Sequence, residues 1–305
     1  MEPNNRFTIR VPASTANLGP GFDSIGLALN LFLTLEVESS GRWEFYSTKD
    51  ELKLFPNDEQ HFICQIALQV AEKYGRTLTP CKVQMDSEIP LARGLGSSAA
   101  AIVAGIELAD YVGDLGLTTE DKLLIATELE GHPDNVGASI YGGLIVGSYH
   151  RGEVDLIAFP DLGFEGVVVI PDEILLTKDS REVLPSTFSR NEAIQASSTA
   201  NLLIAAILTQ NWELAGKMME QDLFHQPYRR PLIPLFSEIE KIAKANGAFG
   251  VALSGAGPTV ICFTVKGQGE ELSQAMKRAF SEMTVKLLNI ENRGSRVCEI
   301  VKDVK

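Results

Sequence analysis

Ile89-Pro90-Leu91-Ala92-Arg93-Gly94-Leu95-Gly96-Ser97-Ser98-Ala99-Ala100-Ala101-Ile102-Val103-Ala104-Gly105 is the stretch that organises the rest of the chain. It follows an alternating run, Lys82-Val83-Gln84-Met85, that predicts a strand, and it ends with Ala99, Ile102, Val103 and Ile106 at helical spacing. A strand handed to a helix through a glycine-rich turn leaves unpaired N–H groups and the positive end of the peptide dipole beside the loop. Gly94 and Gly96 let the backbone take positive φ and approach a ligand with no Cβ in the way. Arg93 supplies a positive charge. Ser97 and Ser98 supply two hydroxyls, one able to cap the helix while the other turns to a phosphate oxygen or a magnesium ion. The expected guest is a polyphosphate.

Two better-known glycine loops fit less well. The P-loop needs a Gly-Lys-Ser/Thr ending, and no lysine follows either glycine. The dinucleotide pattern is met loosely by Gly94-Leu95-Gly96-Ser97-Ser98-Ala99, but its acidic partner should end a second strand about twenty residues on. The chain instead runs into Thr118-Thr119-Glu120-Asp121 and a predicted helix. A loop that serves only close helix–strand packing stays open until the other loops are read.

The 305 residues suffice for two domains, at about 150 residues each. Lys+Arg 27 against Asp+Glu 40 gives a formal net charge of −13, which argues against a nucleic-acid or anionic-membrane surface. A bound polyphosphate must then be met by a local site. Cys64, Cys81, Cys262 and Cys298 are far apart, without a Cys-x-x-Cys pair, and are expected as buried free thiols. Met1-Glu2-Pro3-Asn4-Asn5 is polar and no apolar run approaches membrane-spanning length, so the expected location is cytoplasmic.

Arg6 to Val11 alternates as a strand and enters Pro12-Ala13-Ser14-Thr15-Ala16-Asn17-Leu18-Gly19-Pro20-Gly21-Phe22-Asp23, read as a polar loop. Strands follow at Leu31–Val37 and Trp43–Ser47, and a helix at His61–Tyr74. Beyond the central loop, a helix over Lys122–Glu130 leads into a second polar loop, Gly131-His132-Pro133-Asp134-Asn135-Val136-Gly137. The second half opens on the apolar strand Val167–Ile170 and a charged loop with Lys178, Arg181 and Pro185. Helices at Glu192–Thr209, Trp212–Phe224 and Leu235–Ala245 precede a third glycine-rich loop, Leu253-Ser254-Gly255-Ala256-Gly257-Pro258. The strand Thr259–Val265, a helix over Glu270–Met283 and short strands toward Val297–Val301 close the chain. Residues 1–160 and 161–305 are the expected domains.

The three loops in this order resemble the three motifs of the GHMP kinases, a family of small-molecule kinases. The resemblance implies an α+β, two-domain GHMP kinase fold. Its N-terminal domain is ribosomal-protein-like with a left-handed βαβ crossover, and its C-terminal domain is ferredoxin-like. It also implies ATP and Mg2+ as cofactors. Val11-Pro12-Ala13-Ser14-Thr15-Ala16-Asn17-Leu18-Gly19-Pro20-Gly21-Phe22-Asp23 and Glu128-Leu129-Glu130-Gly131-His132-Pro133-Asp134-Asn135-Val136-Gly137 are similar to the branch that phosphorylates the side-chain hydroxyl of L-homoserine in threonine biosynthesis. The segments around Arg181 and Arg229 look the same way. Another small alcohol such as mevalonate, or a non-catalytic ligand-binding member, is the alternative. The resemblance leaves the oligomeric state open, a homodimer included, with a small molecule as the partner.

With that resemblance, the phosphate loop comprises Pro90, Leu91, Ala92, Arg93, Gly94, Leu95, Gly96, Ser97, Ser98, Ala99 and Ala100. Ser98 and Glu130 are the candidate magnesium ligands, since a hard cation takes oxygen donors. Glu130 follows Leu123 and Ala126 on an apolar helical face where a solvated carboxylate is out of place, while Glu128 falls on another face. For a zwitterion, Asp23 can take the ammonium, and Arg181 and Arg229 the carboxylate. Asn17, His132, Asn135 and Gly255 complete the candidate substrate site. Asp134 is the candidate general base. If Asn135 takes the place of the aspartate that some GHMP kinases use, no base exists and the γ-phosphate receives the proton late.

Overall fold

The computed structural model describes residues 6–160 and 162–300. Five residues of the polar amino terminus, Asp161 at the expected domain boundary, and Val301 at the end of the last expected strand lie outside the described residues.

The first half is a mixed sheet with helices on it. Its strands are β1 (Arg6–Asn17), β2 (Gly21–Ser39), β3 (Glu44–Tyr46), β4 (Cys81–Ser87), β5 (Leu144–His150) and β6 (Glu153–Phe159). Its helices are α1 (Phe62–Lys73), α2 (Ser97–Gly113), α3 (Thr119–Glu130) and α4 (Asp134–Tyr141). The 19-residue β2 is the spine. Leu33–Ser39 pair antiparallel with β4, Ile25–Leu27 pair with β5, and β1 lies along the other edge. Helix α2 buries apolar and small residues on nearly every side, from Ala99 to Val112, as expected of a helix enclosed by its neighbours. Helix α3 opens on a capping box in which Thr118 and Asp121 exchange hydrogen bonds.

Pro12 to Asp23, expected as a loop, is mostly paired. Ala13, Ser14, Thr15 and Ala16 sit opposite Leu29, Ala28, Leu27 and Gly26, and the register shifts at Pro12/Ala13 and Ala16/Asn17. Alternation is lost there because both faces are covered, so Ser14 and Thr15 are as buried as their apolar neighbours. A strand buried on both faces cannot show a period of two.

The second half carries β7 (Phe164–Ile170), α5 (Thr177–Glu182), α6 (Arg190–Leu208), α7 (Trp212–Met219), α8 (Gln226–Arg229), α9 (Phe236–Ala245), β8 (Gly250–Leu253), β9 (Val260–Val265), α10 (Gly269–Ala279) and β10 (Thr284–Leu288). The antiparallel order β10-β7-β9-β8 with this chain order is a ferredoxin-like arrangement. One sheet face packs Val169, Val251 and Val260 against Phe236 and Ile239 of α9 and Leu272 and Met276 of α10. From the other face, Val168, Ile261 and Phe263 join the core of the first half. The charged stretch around Arg181 is the short helix α5 rather than a loop, and the helix expected to reach Phe224 ends at Met219.

The last strand, β11 (Arg296–Glu299), returns to pair antiparallel with β1, so the first sheet takes an outer strand from inside the stretch expected for the second domain. Cys64, Cys81 and Cys262 are buried, and burial pushes the first two thiols up to about 12. Cys298, expected to be buried, is exposed on β11. Among the described residues no helix is long and apolar enough to cross a membrane.

Candidate active site

The three loops lock into one another. Gly96 is the N-cap of α2 at φ 72°, and neither Ser97 nor Ser98 caps the helix as expected; both lie in its first turn. Gly94 takes φ 75°. A Cβ on Gly94 would meet the Ser254 carbonyl at 2.2 Å, and one on Gly96 would meet Ser14 Oγ at 2.2 Å. The missing side chains therefore admit the other two loops, not only a ligand. Ser254 Oγ donates to the Gly94 carbonyl (2.6 Å) and lies 2.8 Å from Thr15 Oγ1. The Gly255 N–H donates to the Ala16 carbonyl at 3.2 Å.

A cavity of about 380 Å³ opens where these loops meet. Leu91, Ala92, Gly94, Gly96, Ser97, Ser98 and Ala99 line it, whereas Pro90, Arg93, Leu95 and Ala100 do not. Leu95 and Ala100 are core. Arg93 donates to the carbonyls of Pro171 (2.9 Å), Leu91 (3.1 Å) and Asp172 (2.7 Å), so it ties the loop to the second half of the chain. The other expected site residues, Asn17, Asp23, Glu130, His132, Asp134, Asn135, Arg181, Arg229 and Gly255, all line this cavity.

Asp23 sits at φ 56°, just past a turn that also holds Asn17 at 74° and Leu18 at 47°, a strained backbone that aims the carboxylate inward. Asn17 spans the loops: its Oδ1 accepts from the Asp23 N–H (3.0 Å) and its Nδ2 donates to the Gly255 carbonyl (3.2 Å). Arg181 from α5 forks onto Asp23 at 2.7 and 3.1 Å. Arg229 is 2% exposed, and desolvation, with Arg181 nearby, lowers its pKa to about 10. Its Nε donates to the Ser180 carbonyl (3.0 Å) and its Nη1 to the Gly255 carbonyl (3.2 Å). Nη2 has no protein acceptor among the described residues.

Asp134 and Asn135 form the first turn of α4 rather than a loop. Asp134 Oδ1 gathers His132 Nδ1 (2.6 Å), the Asn135 N–H (2.6 Å) and Asn135 Nδ2 (3.2 Å). Burial alone would lower the His132 pKa, but the hydrogen bond and charge of Asp134 outweigh it and raise the value. Ser14 Oγ donates to Asn135 Oδ1 at 2.9 Å, which orients that amide.

Glu130 and Ser98 line the cavity, and neither has a hydrogen-bond or ion-pair partner among the described residues. Desolvation raises the Glu130 pKa. An unpaired carboxylate and an unpaired hydroxyl are the hard oxygen donors that suit Mg2+. Glu128 instead pairs with Lys73 at 3.0 Å on the surface. Asp23, His132 and Asp134 also bring one ligand atom each within 4.8 Å of one another. Those atoms are already engaged by Arg181 and by the first turn of α4.

Several lining residues escaped the sequence. Leu33, Leu52, Phe55, Phe62 and Met85 supply an apolar wall that periodicity cannot tell from core. His61 lines the same wall, caps α1 through Nδ1 and stacks on Phe45 at 4.2 Å. Its place at the start of the expected helix was the available signal.

Comparison with known proteins matches residues 61–143 to the GHMP kinases N terminal domain and residues 203–282 to the GHMP kinases C terminal domain. A homoserine kinase of Bacillus pumilus is 48% identical over 94% of this chain and 93% of its own length. The chain belongs to the GHMP kinases. A homoserine kinase of Halalkalibacterium halodurans is 45% identical over 97% of this chain and 96% of its own. A crystal structure of homoserine kinase from Cytophaga hutchinsonii superposes with a TM-score of 0.85 at 27% identity, covering 96% of this chain and 97% of that one. The cavity is where the three loops that resemble the family's motifs meet, and this GHMP kinase uses ATP.

Proposed function

We propose that this GHMP kinase transfers the γ-phosphoryl group of ATP to the side-chain hydroxyl of L-homoserine, giving ADP and O-phospho-L-homoserine for threonine biosynthesis. The observation that carries this reading is the presence of Asp23, Arg181 and Arg229 on one cavity wall. An amino-acid zwitterion needs an anion for its ammonium and a planar donor fork for its carboxylate. A sugar or mevalonate carries no ammonium and does not demand such a partner. The homoserine kinases 45–48% identical to this chain support the same substrate.

In the transfer, the substrate hydroxyl oxygen forms a bond to the γ-phosphorus while the bond from that phosphorus to the β,γ-bridging oxygen breaks and its electrons leave with ADP. The hydroxyl proton passes to an oxygen of the transferred phosphoryl group late in a loose transition state. This route needs no base, and the three donors on Asp134 Oδ1 hold that carboxylate in place. Asp134 instead holds His132 and Asn135 toward the cavity. Ser98 and Glu130 are the residues that would hold Mg2+, which supplies charge neutralisation of the phosphates. The first-turn N–H groups of α2 face the phosphates, and the wall of Leu33, Leu52, Phe55 and Met85 takes the base. The net charge of −13 and a free amino acid as substrate favour action in the cytoplasm without nucleic-acid or membrane partners.

Phosphorus NMR of a reaction containing the protein, Mg-ATP and L-homoserine tests the reading. A phosphomonoester that co-migrates with O-phospho-L-homoserine is expected. ADP and free phosphate without that ester would overturn it.

A further inference from the structure

We propose that His225 is a positioning residue: it sets the rotation of the Arg229 guanidinium and ties it to the turn that leads into Asp23, so one imidazole aligns both arms of the homoserine clamp. The inference rests on the clamp described above and extends it to a residue that does not line the cavity.

His225 is completely buried, immediately before α8, and its two nitrogens face partners of opposite kind. Nε2 lies 2.8 Å from the Gly19 carbonyl, and 3.3 Å from Asp222 Oδ2. Both of those oxygens accept, so Nε2 carries the hydrogen. Nδ1 lies 3.3 Å from Nη1 of Arg229, a group that can only donate, so Nδ1 offers its lone pair. The ring is therefore the neutral Nε2–H tautomer. A second proton would set an N–H against the guanidinium. Burial, chiefly, keeps that proton off.

The imidazole is itself held in place. The Asp222 carboxylate accepts from the N–H groups of Phe224 (2.8 Å), His225 (3.2 Å) and Gln226 (2.7 Å), fixing the backbone from which the ring projects. Phe22, one residue from Asp23, stacks on the ring with centroids 5.4 Å apart and lies 5.3 Å from the Arg229 guanidinium carbon. Gly19 belongs to the turn between β1 and β2 and Phe22 to the start of β2, while Arg229 belongs to the second half of the chain. His225 bridges them. With Nε on Ser180 and Nη1 shared by Gly255 and His225, Nη2 is the donor left for a substrate carboxylate.

Two substitutions separate this role from simple core filling. His225→Asn places an amide oxygen near the Nδ1 position and keeps the acceptor for Arg229. His225→Gln places an amide N–H near the Nε2 position and keeps the donor to Gly19. H225Q is expected to raise the homoserine KM about tenfold or more with the ATP KM within about twofold, while H225N stays within about threefold of wild type. In an Arg229→Ala background, adding H225Q should change the homoserine KM by less than about twofold, because the group it orients is gone. Equal homoserine penalties for H225Q and H225N, an ATP KM that rises in parallel, or an undiminished H225Q penalty in the R229A background would each overturn the proposal. Nitrogen-15 NMR of the wild-type imidazoles gives a reading without any substitution. At neutral pH His225 should be the Nε2–H tautomer, and an Nδ1–H tautomer or an imidazolium there would also overturn it. Wild-type protein inactive on homoserine would sink the proposed function, while the tautomer would still decide whether His225 faces Arg229 as an acceptor.

Discussion

Arg181 and Asp23, suited to opposite ends of a zwitterion, hold one another on the cavity wall at 2.7 and 3.1 Å. Homoserine would exchange this internal pair for two external ones, its ammonium going to Asp23 and its carboxylate to the arginines. The Arg181 and Asp23 side chains are 37% and 33% exposed, so the pair adds only about 0–1 kcal/mol to folding. Arg181→Ala should therefore leave Tm almost unchanged while raising the homoserine KM about tenfold or more. A large fall in Tm with normal homoserine saturation would make the pair a structural strut.

Arg229 differs because it is buried and satisfies two carbonyls. Truncating such a charge typically costs roughly 2–5 kcal/mol, so Arg229→Ala should raise the homoserine KM on the order of thirty-fold and also lower Tm. The ATP KM should stay near wild type. Kinetics with both substrates varied read this directly, and a defect confined to ATP would place Arg229 on the nucleotide.

The two carboxylates at the end of α3 should separate cleanly. Glu130→Gln removes an unpaired charge from the cavity and is expected to lower kcat by about two orders of magnitude or more with homoserine binding nearly intact. Glu128→Gln breaks only the surface pair with Lys73 and should be close to silent. The reverse pattern would exclude Glu130 as the metal ligand.

Gly94 and Gly96 test the interlocking of the motifs. Alanine at either position sets a Cβ 2.2 Å from the Ser254 carbonyl or Ser14 Oγ, with positive φ as an added strain. Each should lose roughly 3 kcal/mol or more of stability, or most of its activity through displaced loops. Gly116, at φ 66° with nothing within 4 Å, should lose only about 1 kcal/mol on the same change. Calorimetry of the three alanine variants decides it; equal losses would mean that φ alone matters.

His61 predicts a pH dependence of stability. Its buried ring has a pKa lowered from 6.5 to about 4 by desolvation. Between those values the unfolded chain takes up a proton that the native state refuses. Stability present above pH about 6.5 is thus lost progressively as pH falls toward about 4, and the loss levels off below that. Asn is a good N-cap, so His61→Asn should keep α1 capped yet show a shallower fall of Tm over this window. His225 contributes in the same direction and remains in the variant. An unchanged slope would show that His61 titrates normally.

The central loop was legible because its demands are local: two glycines at positive φ before a helix leave a pattern in adjacent residues. That Asp23, Arg181 and Arg229 meet in one cavity was legible through the family resemblance, not through spacing, since they are brought together only by the packed halves. Pro12 to Asn17 was misread because strands buried on both faces lose their alternation. The return of β11 to β1, and the exposure of Cys298 with it, depends on a pairing between the two ends of the chain. The apolar wall and His225 left no pattern, because core and ligand pocket draw on the same side chains.

The most direct measurement is kcat/KM by coupled ADP release with Mg-ATP and L-homoserine, mevalonate, galactose or shikimate as acceptor. Wild-type protein should favour homoserine by at least about two orders of magnitude, and Arg229→Ala should erase most of that preference through KM. Higher activity on mevalonate or a sugar than on homoserine would contradict the account.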